Sequence, residues 1–466
     1  MKQYYLAIDI GASGGRHMLA HIEKGRMVME EIHRFSNAMK EQEGELVWDV
    51  DRLFEEIKTG MKKCKEQDKI PVSVGIDTWA VDFVLLDDKN QRIGNVVAYR
   101  DGRIKEMDRE VYSVISQEKL YQRTGIQKQV FNTIYQLMAL KKKKPEQLEK
   151  AKKLLLIPDY FHYLLTGMTR TEYTNASTTQ LLSPETKDWD RTLIKKLGYP
   201  DEIFQKIETA GTLLGHLTED IQKELGYNCK VILPATHDTA SAVMAVPDRQ
   251  EDVLYISSGT WSLMGTELME ANCSNESRLH NMTNEGGYDF RFRYLKNIMG
   301  LWIIQSVKKE IGQEMDYGTI CKLASQEKIS SIIDCNSDRF LAPNNMTLEI
   351  LKACLESGQE TPEGIAEVAA VIYNSLARCY ADTKKEIEEN TGKRYSQINI
   401  VGGGAKAEYL NLLTAKATGC TVVAGPIEAT AIGNIMAQMI GEGELKNLKE
   451  ARECIYRSFS IRTYEP

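Results

Sequence analysis

Two stretches of the chain repeat one pattern, an apolar run broken by a turn of small residues and then resumed. Leu6 to Ile10 passes through Gly11-Ala-Ser-Gly-Gly15 into Arg16 to His21. About 250 residues later, Val253 to Ile256 passes through Ser257-Ser-Gly-Thr260 into Trp261 to Met264. Apolar runs joined by such a turn read as a β-hairpin, so the recurrence predicts two lobes, each opening with one. The length of 466 residues agrees, because single cores stop growing near roughly 250–300 residues. The boundary is expected near residues 243–250, giving an N-terminal lobe over 1–244 and a C-terminal lobe over 245–466.

Between the hairpins, Val72 to Asp77 and Val231 to Ala235 read as short buried strands that end in polar clusters, DTWAVD and THDTAS. Helical spacing marks Ser116–Thr124, Thr133–Lys144, Leu295–Ile311 and Pro362–Thr391. Strands and helices alternate, so the class is α/β.

Composition narrows the function. A hydrophobic share of 42% with 27% charged residues is that of a folded chain. The net charge of −7 argues against a nucleic-acid partner, which needs a positive face, and Lys141–Lys144 reads as a solvated helix face. The nine cysteines show no CxxC or Cys/His spacing and read as reduced thiols. No apolar run is long enough to span a bilayer and the start runs into a strand rather than a secretory signal, so a cytoplasmic protein without a membrane partner is expected.

The turn Ala12, Ser13, Gly14, Gly15 and Arg16 can cradle phosphate, because small residues let backbone N–H groups approach an anion. Asp9, at the end of the preceding strand, can hold hydrated Mg²⁺ there. No GK[ST] follows, so this is not a Walker loop. The second turn, ending in Thr260, offers a similar clamp, and two clamps around one triphosphate supply the positioning that phosphoryl transfer needs. A third glycine run, Gly402 to Gly404, follows a strand and precedes a helix from about Ala407, where a base or ribose can pack on bare backbone. In THDTAS, Asp238 can accept a hydroxyl proton and His237 can contact substrate. DTWAVD offers hydrogen-bonding groups for a polyol, with Trp79 equally readable as core. Asn297 and Gln305 fall about two turns apart on the helix expected over KNIMGLWIIQS.

Taken together, DIGASGGR, GIDTWAVDFVLLD, ATHDTASAV, YISSGTWSLMG, TNEGGYDFRFRYLKNIMGLW, FLAPNNM and GPIEATAIGNIMAQ resemble the FGGY carbohydrate kinases, over a span from about residue 5 to residue 440. The wording of GTWSLMG, KNIMGLW and EATAIGN is similar to the branch that phosphorylates L-rhamnulose. The resemblance implies a two-lobed actin-like, ribonuclease-H-like fold with an interlobe cleft, ATP with Mg²⁺, and transfer of the γ-phosphoryl group to the 1-hydroxyl of L-rhamnulose in L-rhamnose catabolism. By that resemblance Asp238 matches the catalytic base. Ala12, Ser13, Gly14, Gly15, Arg16, Thr260, Gln305 and Gly403 match nucleotide contacts, and Ala80, His237, Asp238, Thr239 and Asn297 match sugar contacts. Two positions depart from the family wording: Ala80 stands where glycine is common, and Gly15 where serine is common. A kinase for fuculose, xylulose or glycerol keeps every nucleotide motif, and a non-catalytic actin-like sugar sensor keeps the hairpins without needing Asp238. Monomer and dimer are both compatible with the sequence.

Overall fold

Apolar residues dominate Tyr4–Gly11 (β1), the consecutive Met18, Leu19 and Ala20 are buried along Gly14–Glu23 (β2), and the loop Ala12-Ser13 brings Gly11 opposite Gly14 to close the first hairpin. The computed structural model describes residues 2–247 and 253–466, so part of the expected lobe boundary lies outside the described residues. Arg26–Ser36 (β3) pairs antiparallel with β2, and Pro71–Thr78 (β4) pairs parallel with β1 on its other side. Leu213–His216 (β5) and Lys230–Ile232 (β6) complete a sheet of order β5-β6-β4-β1-β2-β3.

The core of this sheet follows from periodicity. Leu6, Ile8 and Ile10 of β1 and Val74 and Ile76 of β4 are buried with Leu53, Ile57 and Met61 of the Val50–Glu66 helix. Those three helical residues recur every fourth position, which puts them on one face. The helix starts where Asp49 accepts from the Arg52 amide at 3.0 Å, satisfying an N-terminal donor that no helical carbonyl can reach. Full burial of an aliphatic side chain is worth about 1.5–3 kcal/mol, so this face holds the helix on the sheet.

The described residues group into two compact units. One is the chain up to Met244 together with Leu268–Arg293 and Thr430–Ser458; the other is the remainder. Within the second, Leu254–Ser258 (β7) and Ser262–Leu268 (β8) form the second hairpin, and the order runs on as Phe292–Ile298 (β9), β8, β7, Gln397–Val401 (β10), Thr421–Ala424 (β11) and Arg462–Tyr464 (β12). β7 pairs antiparallel with β8 and parallel with β10, the same arrangement that β1 has with β2 and β4. The repeat read from two glycine turns is thus a repeat of sheet topology. The longest helix, Gly364–Thr391, ends at Gly392, whose φ of +69° suits the left-handed cap.

One expectation is corrected. The helix expected over Leu295–Ile311 is strand to Ile298 and helix only from Trp302 to Ile311. Phe292 and Tyr294 favour a strand, and the chain crosses β8 so closely that a Cβ on Gly300 would lie 2.5 Å from the Ser262 amide nitrogen. Pairing with β8 therefore overrides the helical spacing, and Asn297 lies on a strand, not two turns before Gln305 on one helix. Among the described residues no helix is long and apolar enough to cross a membrane, and all nine cysteines are free.

Candidate active site

In the first unit the sheet register sets up a row of charge. Because β1 lies between β2 and β4, Asp9 pairs with Arg16 on one side and with Asp77 on the other. Arg16 donates from Nε and Nη2 to Asp9 Oδ2 at 3.1 and 3.0 Å. Asp77 is fully buried, and burial and the neighbouring Asp9 carboxylate push its carboxyl well above the usual range. Its Oδ1 has no hydrogen-bond partner among the described residues.

The partner of the other Asp77 oxygen comes from the far end of the chain. Asn434, on the Ala429–Gly441 helix, donates to Asp77 Oδ2 at 2.6 Å and to the Gly75 carbonyl at 3.1 Å. One turn on, Gln438 donates to the Asn434 side-chain oxygen and to the Leu6 carbonyl, while Ser73 donates to Gln438. Every member of this network is buried, so it fixes one arrangement of the two strands and the helix. A Cβ on Gly433 would lie 1.8 Å from the Ser241 carbonyl, so only glycine lets this helix come so close to the helix headed by Asp238.

Asp238 opens the short Asp238–Met244 helix. The loop before it is held from below: buried Glu172 accepts from the Thr236 amide at 3.0 Å and hydroxyl at 2.9 Å, and Thr174 Oγ1 accepts from the His237 amide at 3.2 Å. Thr78 on β4 donates its amide to the Thr236 carbonyl at 2.9 Å, tying the loop to the row of acids. Thr239 donates its amide and hydroxyl to Asp238 Oδ1 at 2.6 and 3.1 Å. Although about a third of the Asp238 side chain is open (33%), desolvation of the rest, and then Asp9, push its carboxyl up to about 6. A carboxylate of that strength is ionised at neutral pH yet basic enough to take a hydroxyl proton.

The phosphate-type turn is equally constrained. Buried Asn37 donates its amide to the Ser13 carbonyl at 3.1 Å and its side chain to the Gly11 carbonyl at 3.0 Å. A Cβ on Gly15 would fall 2.2 Å from the Phe35 ring carbon Cζ. The departure from serine is therefore matched to an aromatic neighbour. DTWAVD behaves differently from a polyol wall: Trp79 is core, packed at a tilt against Trp48 with ring centroids 4.2 Å apart. Buried Asp82 accepts from both indole N–H groups, from Gln136 and from the Tyr99 amide. Between them Val81 carries a φ of +69° under a contact from the Asp82 amide to the Ala80 carbonyl at 3.0 Å, a tight γ-turn. A β-branched residue pays strain there, and Asp82 and Trp79 hold the turn that presents half-buried Ala80.

In the second unit, the carbonyls of Gly259 and Thr260 accept from the amides of Leu301 and Trp302, so the second turn is pinned to the start of the Trp302–Ile311 helix, whose next turn carries Gln305. Gly402–Gly404 lies on the same hairpin, where a Cβ on Gly404 would meet the Ser258 hydroxyl oxygen at 1.9 Å, whereas one on Gly403 would meet nothing. Thr260, Gln305 and Gly403 thus belong to one local structure, and Gly403 presents its open side. Half-buried Asn297 stands on β9. Sequence reasoning passed over Glu172 and Asn37, and quoted without a role Asn434 inside EATAIGN and the ion pair of Arg293 with Glu285, 3.0 Å long, inside TNEGGYDFRFRYLKNIMGLW. Each acts through a distant partner, and nothing in local spacing marks that.

The comparisons with known proteins divide the chain into two contiguous segments, the second of which includes Leu268–Arg293 and part of Thr430–Ser458 of the first compact unit. Residues 4–245 match the N-terminal domain and residues 254–442 the C-terminal domain of the FGGY family of carbohydrate kinases. The chain is 49% identical over 461 residues to a rhamnulokinase of Halalkalibacterium halodurans, covering 99% of this chain and 98% of that protein. It is 47% identical to a rhamnulokinase of Oceanobacillus iheyensis, covering 100% and 98%, and 43% identical to one of Klebsiella pneumoniae, covering 100% and 95%. In fold it is similar to a ligand-bound xylulose kinase from Lactobacillus acidophilus, with a TM-score of 0.81 at 17% identity over 100% of this chain and 94% of that one. It is also similar to a glycerol kinase from Plasmodium falciparum with ADP, with a TM-score of 0.79 at 14% identity over 99% and 94%.

Proposed function

Because this chain belongs to the FGGY family of carbohydrate kinases, we propose that it transfers the γ-phosphoryl group of ATP to the 1-hydroxyl of L-rhamnulose, giving L-rhamnulose 1-phosphate and ADP. The named relatives supply the sugar. The observation that carries the chemistry is Asp238, a carboxylate pushed up to about 6 and held by Thr239 through Oδ1 alone among the described residues. Its Oδ2 is left to accept the proton of the attacking hydroxyl. Ala80, His237 and Thr239 line the sugar side of this unit, with Asn297 assigned to a sugar hydroxyl. Xylulose, fuculose and glycerol are the competing acceptors, and a cytoplasmic setting goes with the reading.

For the nucleotide we assign Ala12, Ser13, Gly14, Gly15 and Arg16 to the phosphates and Thr260, Gln305 and Gly403 to the rest of ATP. Among the described residues no three His, Cys, Asp or Glu side chains are grouped to cage a metal. Mg²⁺ in kinase sites is held largely by phosphates and water with one or two carboxylates, and the unpartnered Oδ1 of Asp77 beside Asp9 fits that need. Asp9 is assigned to it, acting through water while bonded to Arg16. When bound, Mg²⁺ neutralises charge on the phosphates. The protein's own part is to fix the hydroxyl against Asp238, to take its proton, and to place Arg16 where negative charge develops. The test is product identification: incubation with MgATP and L-rhamnulose should give equimolar ADP and a phosphomonoester whose phosphorus couples to the two hydrogens on C1. A product phosphorylated elsewhere, or ADP without sugar phosphate, contradicts it.

A further inference from the structure

Arg293 and Glu285 lie in the motif TNEGGYDFRFRYLKNIMGLW and take no part in the reading above. Arg293 is fully buried, a costly place for a guanidinium unless it is bonded. Its Nη2 donates to Glu285 Oε2 at 3.0 Å and meets His237 Nδ1 at 3.0 Å, and its Nε donates to the Gly286 carbonyl at 2.8 Å. A guanidinium has donors only. His237 Nδ1 must therefore accept, which leaves the ring's one proton on Nε2, and Nε2 stands 3.5 Å from Asp238 Oδ1. Glu285 Oε2 lies 3.4 Å from the same Nδ1. Without Arg293 the imidazole would sit between two carboxylates, the arrangement that favours imidazolium.

We propose that Arg293 is a positioning residue that locks His237 as a neutral imidazole with its proton on Nε2, so that Asp238 faces a fixed N–H donor and not a cation. The distinction bears on base strength, because an imidazolium 3.5 Å away would stabilise the Asp238 carboxylate and weaken it as a proton acceptor. Placed behind the ring, Arg293 lets a hydroxyl oxygen lying against His237 and Asp238 accept from Nε2 and donate only to the carboxylate. Desolvation and the Arg293 charge both depress protonation of His237, in the same sense as the geometry. The proposal rests on Asp238 being the base, but its structural half does not.

The experiment is ¹⁵N NMR of the full chain labelled at its seven histidines, without sugar or nucleotide, the His237 signals being assigned with His237→Asn. The expected wild-type spectrum has Nδ1 at the far-downfield position of an unprotonated ring nitrogen and Nε2 at that of an N–H, held across neutral pH. Arg293→Met is expected to put a proton on Nδ1 and to lower kcat about tenfold, with the sugar KM changed less than threefold. Glu285→Gln, which leaves the Arg293 bond in place, is expected to keep Nδ1 unprotonated. A protonated Nδ1 in the wild type or in Glu285→Gln overturns the proposal, as does an unprotonated Nδ1 in a folded Arg293→Met. Should Arg293→Met not fold, the other two spectra decide. A chain that phosphorylates a different sugar returns the same spectra, so failure of the substrate assignment is seen separately.

Discussion

Asn434 donates to Asp77 at 2.6 Å across 357 residues of chain, joining the Ala429–Gly441 helix to the strand beside Asp9. That bond satisfies Oδ2, the one Asp77 oxygen with a partner among the described residues. Asn434→Leu is similar in size but leaves the buried carboxyl without a donor, at a cost of about 1–3 kcal/mol. A lower melting temperature is expected, with activity restored in part by excess Mg²⁺. An unchanged Mg²⁺ titration in a folded variant would separate Asp77 from the metal.

Asp238→Asn fills the same space and keeps the acceptor for Thr239, but cannot take a proton. The expected loss in kcat is on the order of 10²–10⁴ with ATP affinity retained. Single-turnover rates and nucleotide titration check both halves. A variant keeping more than half of the normal turnover removes Asp238 from the chemistry.

The raised carboxyl of Asp238 has consequences for pH with opposite signs for activity and stability. Activity needs the carboxylate, so kcat/KM should fall on the acid side with an apparent pKa near 6. Stability runs the other way. A folded-state pKa above the unfolded value of 3.8 means the group contributes fully at low pH, and the contribution is lost as pH rises through about 6. Asp238→Asn is therefore expected to melt higher than the parent at pH 8 and to lose that advantage by pH 4. Melting curves at the two pH values decide it.

Gly15→Ser would restore the hydroxyl common in the family but drive its Cβ into the Phe35 ring, 2.2 Å away in the present backbone. Overpacking of this kind costs about 1–3 kcal/mol. The single variant should be destabilised, and Phe35→Leu should recover most of the loss. Additive effects in the double-variant cycle would argue that the two positions are independent.

Much of this was legible in the residues. The two glycine turns marked two hairpins, and each lies inside its sheet with a further strand on both sides. THDTAS placed Asp238 after a strand, where it stands at the head of a helix. What could not be read is what depends on long-range pairing. Asn297 lies on a strand because β8 takes it, although its local spacing suits a helix. Trp79 joins the core because Trp48 packs against it from elsewhere in the chain. Asn434 and Arg293 carry no local signature, since their effect lies in the distant groups they bond, and Glu172 reads locally only as the cap of Tyr173–Ser177 while its bonds to Thr236 span 64 residues.

The central claim is the sugar. A site that hydrogen-bonds several hydroxyls rejects the wrong stereoisomer, because each unpaired buried group costs roughly 1–3 kcal/mol. The direct measurement is coupled ADP release under saturating MgATP with L-rhamnulose, L-fuculose, D-xylulose and glycerol. L-Rhamnulose is expected to give the highest kcat/KM, with D-xylulose and glycerol lower by a hundredfold or more, as two mismatches at about 1.4 kcal/mol each imply. A higher kcat/KM for any of the other three would contradict the assignment to L-rhamnulose.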